Sequence, residues 1–233
     1  MFAANRDELH ERPTAPAGWW GHQNEILGGR DLEAGGSWLA VDRRGRLAAV
    51  TNFRDGANAT YPRSRGALVQ EYLATSLGAE EYLAALKAHE TDFGPYNLVI
   101  FDGYDLHYAS NRGPGKELAA GIYALSNTDL DSAWPKVRHA QTRMSVCLSN
   151  GDLNACLFDL LADETRHDDL HAATERATRL TSTIFINDDR YGTRSSTVVL
   201  LSRDAELRFT ERQFGANGVL LGESSEHFKL SGS

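Results

Sequence analysis

Polar residues interrupt or end apolar stretches of this sequence in five places, and their types are those that binding and catalytic sites use. Amide side chains donate hydrogen bonds to a developing oxyanion, and arginine pairs with carboxylates through parallel N–H donors. Each segment alone is equally typical of a turn or a salt bridge. Because functional residues cluster where strands end and loops begin, the five together predict a site. They are Asn5-Arg6-Asp7-Glu8, Gly29-Arg30-Asp31, Thr51-Asn52-Phe53-Arg54, Ser126-Asn127 with Trp134-Pro135-Lys136, and Tyr191 to Thr197.

Common ligand motifs are missing from the sequence, which has no glycine-rich phosphate loop, no His-Glu-x-x-His and no Gly-x-Ser-x-Gly. The pair Gly28-Gly29 is typical of a turn. His167 and His171 are spaced to share one helical face, but Arg166 and Asp168 beside them are typical of a solvated surface. We therefore predict no metal site.

Composition excludes several classes of partner. The net charge is −8 and the basic residues are scattered, whereas proteins that bind nucleic acids carry clustered Lys and Arg. No apolar run approaches the roughly 18 residues of a membrane span, and the N-terminus lacks the apolar core of a secretory signal. Cys147 and Cys156 have no Cys or His neighbours at zinc-ligand spacing. We expect a soluble cytoplasmic protein with free, buried thiols, no nucleic-acid partner and no membrane-spanning segment.

Periodicity predicts the elements that position the polar segments. Charges, prolines and glycines between Asn5 and Gly21 predict a surface loop. Short runs separated by turn residues then predict strands over 36–42, 46–52, 97–101, 106–109, 121–126, 183–186, 197–201 and 206–214. The unbroken apolar run Leu98 to Phe101 predicts a strand covered on both faces. Apolar residues recur at helical spacing after Ser64, Gly78, Pro135 and Asp152, which predicts four helices. This segregated order predicts an α+β fold in one domain.

A series of short motifs, in a fixed order, resembles one known family. Asn5-Arg6-Asp7-Glu8, continued by Arg12-Pro13-Thr14, is similar to the signature of the NRDE family, also called the transport and Golgi organisation protein 2 family. The resemblance covers Phe2 to about Phe214. The further motifs are Gly28 to Leu32, Gly35 to Leu39, Gly45-Arg46, Thr51-Asn52, Ser64-Arg65-Gly66, Tyr96-Asn97-Leu98, Leu125-Ser126-Asn127, Trp134-Pro135-Lys136 and Tyr191 to Thr197.

The resemblance implies a fold. NRDE proteins are similar to N-terminal-nucleophile hydrolases, which have a four-layer αββα sandwich. We therefore expect one NRDE-type domain over residues 1–230 and a flexible tail over residues 231–233. In those hydrolases the first residue of the mature chain is the nucleophile, and its own α-amino group takes up the proton.

Site residues carry over from this resemblance position by position. Asn52-Phe53 and Ser126-Asn127 are similar to the two asparagine contexts of the amidases, which makes Asn52 and Asn127 candidates for oxyanion stabilisation. Arg194 resembles an arginine near a Ser-Ser pair. The resemblance implies a ligand-binding cleft that Asn5, Asn52, Asn127 and Arg194 reach together. The full candidate set is Asn5, Arg6, Asp7, Glu8, Arg30, Asp31, Asn52, Asn127 and Arg194.

The N-terminus departs from the family pattern. NRDE proteins typically begin with Met-Cys and a full strand, whereas this sequence begins Met1-Phe2-Ala3-Ala4. Neither Met nor Phe can act as an N-terminal nucleophile. We therefore expect the first strand to be missing, Phe2 to Ala4 to form the remnant of a central strand, and amide hydrolysis by this mechanism to be absent.

Three functions are compatible with the resemblance. The first is binding or trafficking of haem, with haem as a ligand and no required cofactor, because the family is implicated in moving haem. The second is an amidohydrolase or acyltransferase whose ligand is an acyl compound. The third is a non-catalytic module linked to secretion or Golgi organisation. The sequence identifies no haem axial ligand and no oligomeric state.

Overall fold

The computed structural model describes residues 1–21, 25–54, 59–149, 151–167 and 182–231. The chain folds into two compact units, each built on one sheet. The first, which we call the four-stranded unit, comprises Met1–Arg12, Ile122–Leu125 and the described residues of Asp131–Phe228. The second, the seven-stranded unit, comprises the described residues of Pro13–Gly121, Ser126–Leu130 and the end of the chain from Lys229.

The sheet of the four-stranded unit has the order β1-β9-β10-β11. Its strands are β1 (Phe2–Leu9), β9 (Tyr191–Leu201), β10 (Glu206–Phe214) and β11 (Leu220–Lys229). Two helices, α3 (Pro135–Cys147) and α4 (Leu153–Leu161), belong to the same unit. Pro135 suits the first turn of α3, and the Asp152 side chain caps α4 by accepting a hydrogen bond from Ala155 N. Leu157 and Val198 are fully buried where α4 packs on the sheet.

The seven-stranded sheet runs in chain order from β2 to β8, and every neighbouring pair is antiparallel. Helices α1 (Gly66–Ala74) and α2 (Ala79–Leu86) pack their apolar faces against it. Leu98 and Ile100 lie fully buried in this core, and Val99 is almost as buried on the opposite face. The strands are β2 (Thr14–Trp19), β3 (Ile26–Asp31), β4 (Leu39–Asp42), β5 (Leu47–Asn52), β6 (Tyr96–Phe101), β7 (Leu106–Ser110) and β8 (Gly113–Leu118).

The predicted α+β class is confirmed, because two antiparallel sheets each carry two of the four described helices. Among the described residues, each unit thus has one sheet and two α-helices. The single domain over residues 1–230 stays a prediction. At the expected tail, Ser231 N donates to Arg43 O, and residues 232 and 233 lie outside the described range. In the described part of the chain, no helix has the length and apolarity needed to cross a membrane.

The surface loop predicted over Asn5 to Gly21 is wrong, since most of it lies in β1 and β2. Asn5 to Leu9 pair with β9, which is about 190 residues away in the chain, so local turn propensity did not reveal the strand. Pro16 lies at an irregularity in the β2–β3 register, at the edge of its sheet. An edge strand tolerates a residue without a backbone N–H donor.

Two other predicted strands are also wrong, and three further strands, β3, β8 and β11, were missed. Residues 121–126 and 183–186 form irregular segments. In the second of these, backbone N–H groups donate to Asp163 O and to the Thr193 hydroxyl instead of to a neighbouring strand. The predicted turn at Gly28-Gly29 is wrong, because both glycines lie inside β3. The strand β8 contains Gly and Pro, and the residues of β11 are mostly exposed or only partly buried.

The N-terminal segment forms a strand, as expected for Phe2 to Ala4. Its expected central position is wrong within the described sheet, because β1 is the terminal strand of the order β1-β9-β10-β11.

The prediction of free thiols is also wrong. Cys147 at the end of α3 and Cys156 in α4 form a disulfide, with 5.5 Å between their α-carbons. The short connection between the two helices brings the cysteines to facing positions, which the sequence spacing did not reveal.

A buried ion pair closes the β4–β5 hairpin. Asp42 is 2% exposed, and its Oδ1 accepts the backbone N–H groups of Arg44 and Arg46. Its Oδ2 accepts a hydrogen bond from Arg46 Nε at 2.8 Å. Arg46 Nη2 also donates to Leu73 O at 2.8 Å, which ties the hairpin to the end of α1. Gly45 has a φ of +83°, a conformation that favours glycine in this turn.

Replacing Arg46 by Met should lower the free energy of unfolding by about 3–5 kcal/mol, because the buried Asp42 carboxylate would lose its buried cation. Arg44→Met is the matched control, since Arg44 Nε contacts the same Oδ2 at 3.1 Å but its side chain is 47% exposed. An exposed pair contributes about 1 kcal/mol or less. Urea denaturation of the three proteins measures both changes. Equal losses in the two variants would contradict the assignment.

Candidate functional site

The β1–β9 pairing positions the first group of candidate residues. Asn5 lies opposite Ser196 and Arg6 opposite Ser195, but Asp7 lies opposite Thr193. Arg194 is therefore the extra residue of a β-bulge. A bulge bends its strand and re-aims the side chain at that position, which is why bulges are frequent beside functional sites. The sequence motifs include Arg194 in a candidate segment, but only the register of the two strands shows the bulge.

Asn5 holds the end of α4 on the sheet. Its Nδ2 donates to Leu161 O at 2.8 Å and to Ile184 O at 2.9 Å, and its Oδ1 accepts a hydrogen bond from the Ser196 hydroxyl at 2.7 Å. Leu161 is the last residue of α4, where backbone carbonyls lack intrahelical donors. Both ends of the Asn5 amide are thus engaged by the fold, and its role is to position neighbouring elements.

Asp7 lies in a low-dielectric position on β1. Its Oδ1 accepts a hydrogen bond from the Thr193 hydroxyl at 2.7 Å. Burial raises the pKa of the Asp7 carboxyl above 3.8, although the Thr193 hydrogen bond and the positive charges of Lys136 and Arg6 oppose this shift. Lys136, at the start of α3, is therefore part of the electrostatic surroundings of this strand.

A buried polar cluster, which the sequence analysis missed in part, lies on β9 and β10. The Thr197 hydroxyl donates to Glu211 Oε2 at 3.1 Å, and Gln213 Nε2 donates to Glu211 Oε1 at 3.2 Å. Glu211 is 1% exposed, and an ionisable group this buried is rare in proteins unless it is paired. The sequence does contain a signal for the burial of Glu211. This glutamate lies within the predicted strand 206–214, on the same face as the apolar residues Leu207 and Phe209.

Arg6 and Ser195 are buried as well. They lie opposite each other in the β1–β9 register, and residues opposite each other point to the same face of a sheet. The Ser195 hydroxyl oxygen has no hydrogen-bond partner among the described residues. The candidate residue Arg6 therefore lies at a buried, polar part of the strand pair, next to the bulge.

Arg194 is held at one nitrogen. Its Nη1 donates to Leu9 O at 2.8 Å and to Arg12 O at 3.1 Å, while its Nε and Nη2 make no hydrogen bond to any described residue. Burial lowers the pKa of the guanidinium, and the Glu8 carboxylate opposes that shift. Glu8 itself accepts a hydrogen bond from Leu9 N and lies 3.8 Å from Arg12 Nε. Nε and Nη2 together form the edge of a guanidinium that binds a carboxylate through two N–H groups.

The seven-stranded unit brings Asn52 and Asn127 together. Asn127 Nδ2 donates to Asn52 O at 2.9 Å, and Arg54 N donates to Asn127 O at 2.7 Å. The fully buried Asn97 fixes this segment, because its Nδ2 donates to Thr128 O at 2.9 Å and its Oδ1 accepts a hydrogen bond from the Tyr108 hydroxyl. The predicted proximity of the two asparagines is thus confirmed, but one amide N–H of Asn127 is already used by the fold.

Arg30 and Asp31 lie at the end of β3 in the seven-stranded unit. The Arg30 guanidinium is 5.2 Å from the centroid of the Trp20 ring, a cation–π distance. Asp31 Oδ1 accepts the backbone N–H groups of Glu33 and Ala34, both at 3.0 Å. These contacts build a turn. The expectation that both groups of candidates line one cleft stays a prediction.

A surface cavity of about 460 Å³ lies elsewhere in the seven-stranded unit and contains none of the candidate residues. It opens between α2 and the strands β7 and β8. Its wall carries two lysines, Lys87 and Lys116, and three glutamates, one of which, Glu90, pairs with Lys87 at 2.8 Å. His107 and Tyr108 contribute rings. The sequence analysis did not identify this cavity, because its lining comes from elements that the chain order separates.

Two histidines and an aspartate form a further cluster in the four-stranded unit. His139 Nε2 lies 2.7 Å from Asp163 Oδ2, and the His139 and His167 rings are 4.2 Å apart at their centroids. Burial alone would raise the pKa of Asp163, but hydrogen bonds from Thr165 and His139 outweigh it and lower the pKa to about 2. Burial lowers the pKa of His167, and the neighbouring His139 lowers it further. His171, paired with His167 in the sequence analysis, lies outside the described residues.

The architecture and the motifs define a class of protein, an α+β protein with two antiparallel sheets. Its polar signature residues lie in β1 and beside the bulge of β9, the strand that pairs with β1. Comparison with known families identifies the family. The Transport and Golgi organisation 2 family model matches residues 1–216. The chain therefore belongs to this family, and the resemblance read from its motifs is confirmed.

Individual relatives agree with this result. The chain is 32% identical to the Transport and Golgi organization protein 2 homolog of Bos taurus, over 99% of this chain and 92% of the relative. It is also 32% identical to the homolog of Homo sapiens, over 91% of this chain and 85% of the relative. The similarity extends to Transport and Golgi organization protein 2 of Drosophila melanogaster, at 26% identity over 91% of this chain and 84% of the relative.

The raised pKa of Asp7 predicts a pH dependence of stability. A carboxyl that holds its proton more tightly in the folded than in the unfolded protein stabilises the fold at low pH. That contribution is lost as the pH rises from 3.8 through the raised pKa. Asp7→Asn cannot lose a proton and keeps an acceptor for Thr193. We expect the stability of this variant, relative to wild type, to increase as the pH rises from about 4 towards neutrality.

Urea denaturation at a series of pH values measures this difference. Asp159→Asn is the control for the loss of one carboxylate, because Asp159 is an exposed residue of α4. Each variant is compared with wild type at every pH. If the stability difference for Asp7→Asn changes with pH in the same way as the difference for Asp159→Asn, the prediction is contradicted.

Proposed function

We propose that this protein binds haem, or a similar flat apolar molecule that bears carboxylates, and acts in its trafficking. Membership of the Transport and Golgi organisation 2 family supports the proposal, because the resemblance implies a role in moving haem. Haem combines a large apolar ring with two propionate groups. A binding site for it must therefore provide an apolar surface and a cation that recognises a carboxylate.

The Arg194 guanidinium is the observation that carries the proposal. The bulge in β9 re-aims this side chain, and the bonds from Nη1 to Leu9 O and Arg12 O hold the guanidinium in place. An arginine fixed in this way loses little conformational entropy when it binds, which favours affinity. Its Nε and Nη2 remain for a propionate. Arg6, buried one strand away, adds positive charge beside the bulge.

Propionate recognition also fits a carrier better than a resident cofactor site. The proposal uses no axial ligand to the haem iron, and the sequence identifies none. A ligand held through its carboxylates and its apolar face can be released when those contacts are exchanged for others. Haem is therefore the cargo in this proposal and not a group that the protein needs for folding or catalysis.

The amidase or acyltransferase alternative gains no support from the described residues. Cys147 and Cys156 share a disulfide, so neither offers the thiolate that nucleophilic catalysis requires. Asn127 uses one amide N–H on Asn52 O, which leaves it less available to an oxyanion. The alternative of a module linked to Golgi organisation rests on the names of relatives, and no contact in the described residues favours it.

The cytoplasmic location expected from the sequence stays a prediction. Disulfides persist mainly in oxidising compartments and are rare in the cytosol. The Cys147–Cys156 bond between α3 and α4 is therefore a reason against that location.

Haemin titration followed by absorbance tests the proposal. Wild type should give a saturable spectral change, and Arg194→Ala should weaken binding by about tenfold to a hundredfold. This range corresponds to the roughly 1.5–3 kcal/mol that a hydrogen bond to a charged group contributes. Arg194→Lys should also bind more weakly, because an ammonium cannot provide the two parallel donors of arginine. Thermal unfolding of each variant checks that it is folded.

Three controls make the titration specific. Arg203→Ala removes an exposed arginine from the turn between β9 and β10 and should leave affinity unchanged. Haemin with esterified propionates should bind wild type more weakly, and Arg194→Ala should weaken it no further. Unsaturable binding would overturn haem recognition altogether. Loss of binding in His107→Ala but not in Arg194→Ala would place the ligand in the cavity of the seven-stranded unit and overturn the proposed location.

A further inference from the structure

His139, Asp163 and His167 form a cluster that is separate from the residues of the proposed haem site. Each offers one potential ligand atom, and these atoms lie within 4.8 Å of one another. Two imidazole nitrogens and one carboxylate oxygen are ligands that divalent transition metals prefer. We propose that this cluster binds one zinc ion per chain, with a water molecule in the fourth coordination position. The inference is independent of the proposed haem binding.

The fold fixes the backbone of all three residues. His139 lies on α3, and Asp163 follows directly after α4. The disulfide between Cys147 and Cys156 joins these same two helices, so it also limits how far His139 and Asp163 can separate. Phe185 N donates to Asp163 O, and His167 N donates to Ser182 O. The ligand atoms therefore lie on a connected framework, which lowers the entropy cost of assembling a metal site.

The Asp163 carboxylate is oriented as metal-binding carboxylates usually are. Its Oδ1 accepts the backbone N–H of Thr165 at 2.8 Å, while its Oδ2 faces His139 at 2.7 Å. One oxygen is thus held by the backbone and the other is directed into the cluster. Hydrogen bonds of this kind from outside the ligand set orient the ligands and raise metal affinity.

His167 distinguishes a metal site from a simple ion pair. The contact between His139 and Asp163 is complete without it, since each contributes one atom to a short hydrogen bond. Yet His167 lies with its ring against His139, and its Nε2 is buried without a hydrogen-bond partner among the described residues. A buried nitrogen without a hydrogen-bond partner is destabilising. Coordination by a cation would satisfy it.

Zinc binding requires a small rearrangement and a His139 Nε2 that carries no proton. Zinc lies about 2.0–2.2 Å from nitrogen and oxygen ligands, so two ligand atoms on one tetrahedral ion are about 3.4 Å apart. The ligand atoms already lie within 4.8 Å of one another, and the 2.7 Å contact between His139 Nε2 and Asp163 Oδ2 must lengthen slightly, which side-chain rotation allows. When Nε2 binds the ion, a neutral imidazole carries its single proton on Nδ1, whereas an imidazolium keeps the Nδ1 proton and releases the Nε2 proton to solvent. Side-chain exposures of 28% for His139 and 16% for Asp163 leave a path for the ion.

The donor set favours zinc over other divalent cations. The absence of a thiolate among the three residues excludes the sulfur-rich sites of structural zinc. Three protein ligands with one open position are instead typical of zinc that holds a reactive water. An all-oxygen set would have favoured magnesium or calcium, and this cluster has only one carboxylate.

Competition between the full-length protein and a chromophoric zinc chelator tests the proposal. Wild type should bind one zinc ion per chain, and zinc should raise its unfolding temperature, because an ion that binds only the folded state stabilises it. His167→Ala should weaken zinc binding by at least about tenfold. Mutation of a residue that only hydrogen-bonds a zinc ligand already causes a loss of this size. Asp163→Asn should have a similar or larger effect.

The His227→Ala variant is the matched control, since His227 Nε2 also contacts a carboxylate, Glu206, at 3.0 Å. Among the described residues, His227 belongs to no group of three potential metal ligands. Its zinc affinity should equal that of wild type. His139→Gln replaces His167→Ala as the test if the latter fails to fold. Failure of wild type to bind zinc at micromolar concentration would overturn the proposal. So would zinc affinity that is unchanged in His167→Ala and in Asp163→Asn.

Discussion

The antiparallel pairing of β1 with β9 is the interaction on which the four-stranded unit depends. It joins residues about 190 positions apart, so the chain must close a very long loop before this sheet exists. The Asn5 amide links the pairing to the rest of the unit, because it bonds Ser196 on β9 and the last carbonyl of α4. The strand register, the position of α4 and the bulge at Arg194 are thus set together.

The seven-stranded unit depends on a comparable side-chain amide. Asn97 is fully buried on β6, and its bonds to the carbonyls of Ser126 and Thr128 and to the Tyr108 hydroxyl are made inside the core. A buried amide without these partners would cost several kcal/mol of desolvation. The segment carrying Asn127 therefore has one arrangement in which the amide is satisfied. Two asparagines that the family motifs include, Asn5 and Asn97, thus have structural roles that their sequence context does not distinguish from ligand binding.

The charged residues of the four-stranded unit separate into two chemical environments. Around the bulge, Arg6 and Arg194 provide cations suited to carboxylates. At the ends of α3 and α4, Asp163 provides one negative charge beside two imidazoles, which suits a cation. The two clusters have no residue in common. The backbone holds a different charged group in each cluster. Carbonyl oxygens hold the Arg194 guanidinium, and a backbone N–H group holds the Asp163 carboxylate.

Local pattern in the sequence predicted those elements whose signal is local. Helices α1 to α4 follow from apolar residues at helical spacing. Strands β5, β6 and β10 follow from runs of strand-forming residues. The family motifs also identified the signature residues of β1 and the proximity of Asn52 and Asn127. The sequence failed for β1 and β2 themselves, because charges, prolines and glycines there indicate a loop unless a distant partner strand satisfies the backbone.

Tertiary structure alone decided the rest. The bulge at Arg194 exists only as a mismatch between two strands, and Glu211 becomes a buried carboxylate only because Thr197 and Gln213 lie beside it. The disulfide and the group of His139, Asp163 and His167 both arise where α3 and α4 meet. Periodicity reports the face of an element that will be buried, but not the element that will cover it. For that physical reason the sequence determined the class and family of this protein, whereas the packing of separate elements decided which polar residues come together and which are buried.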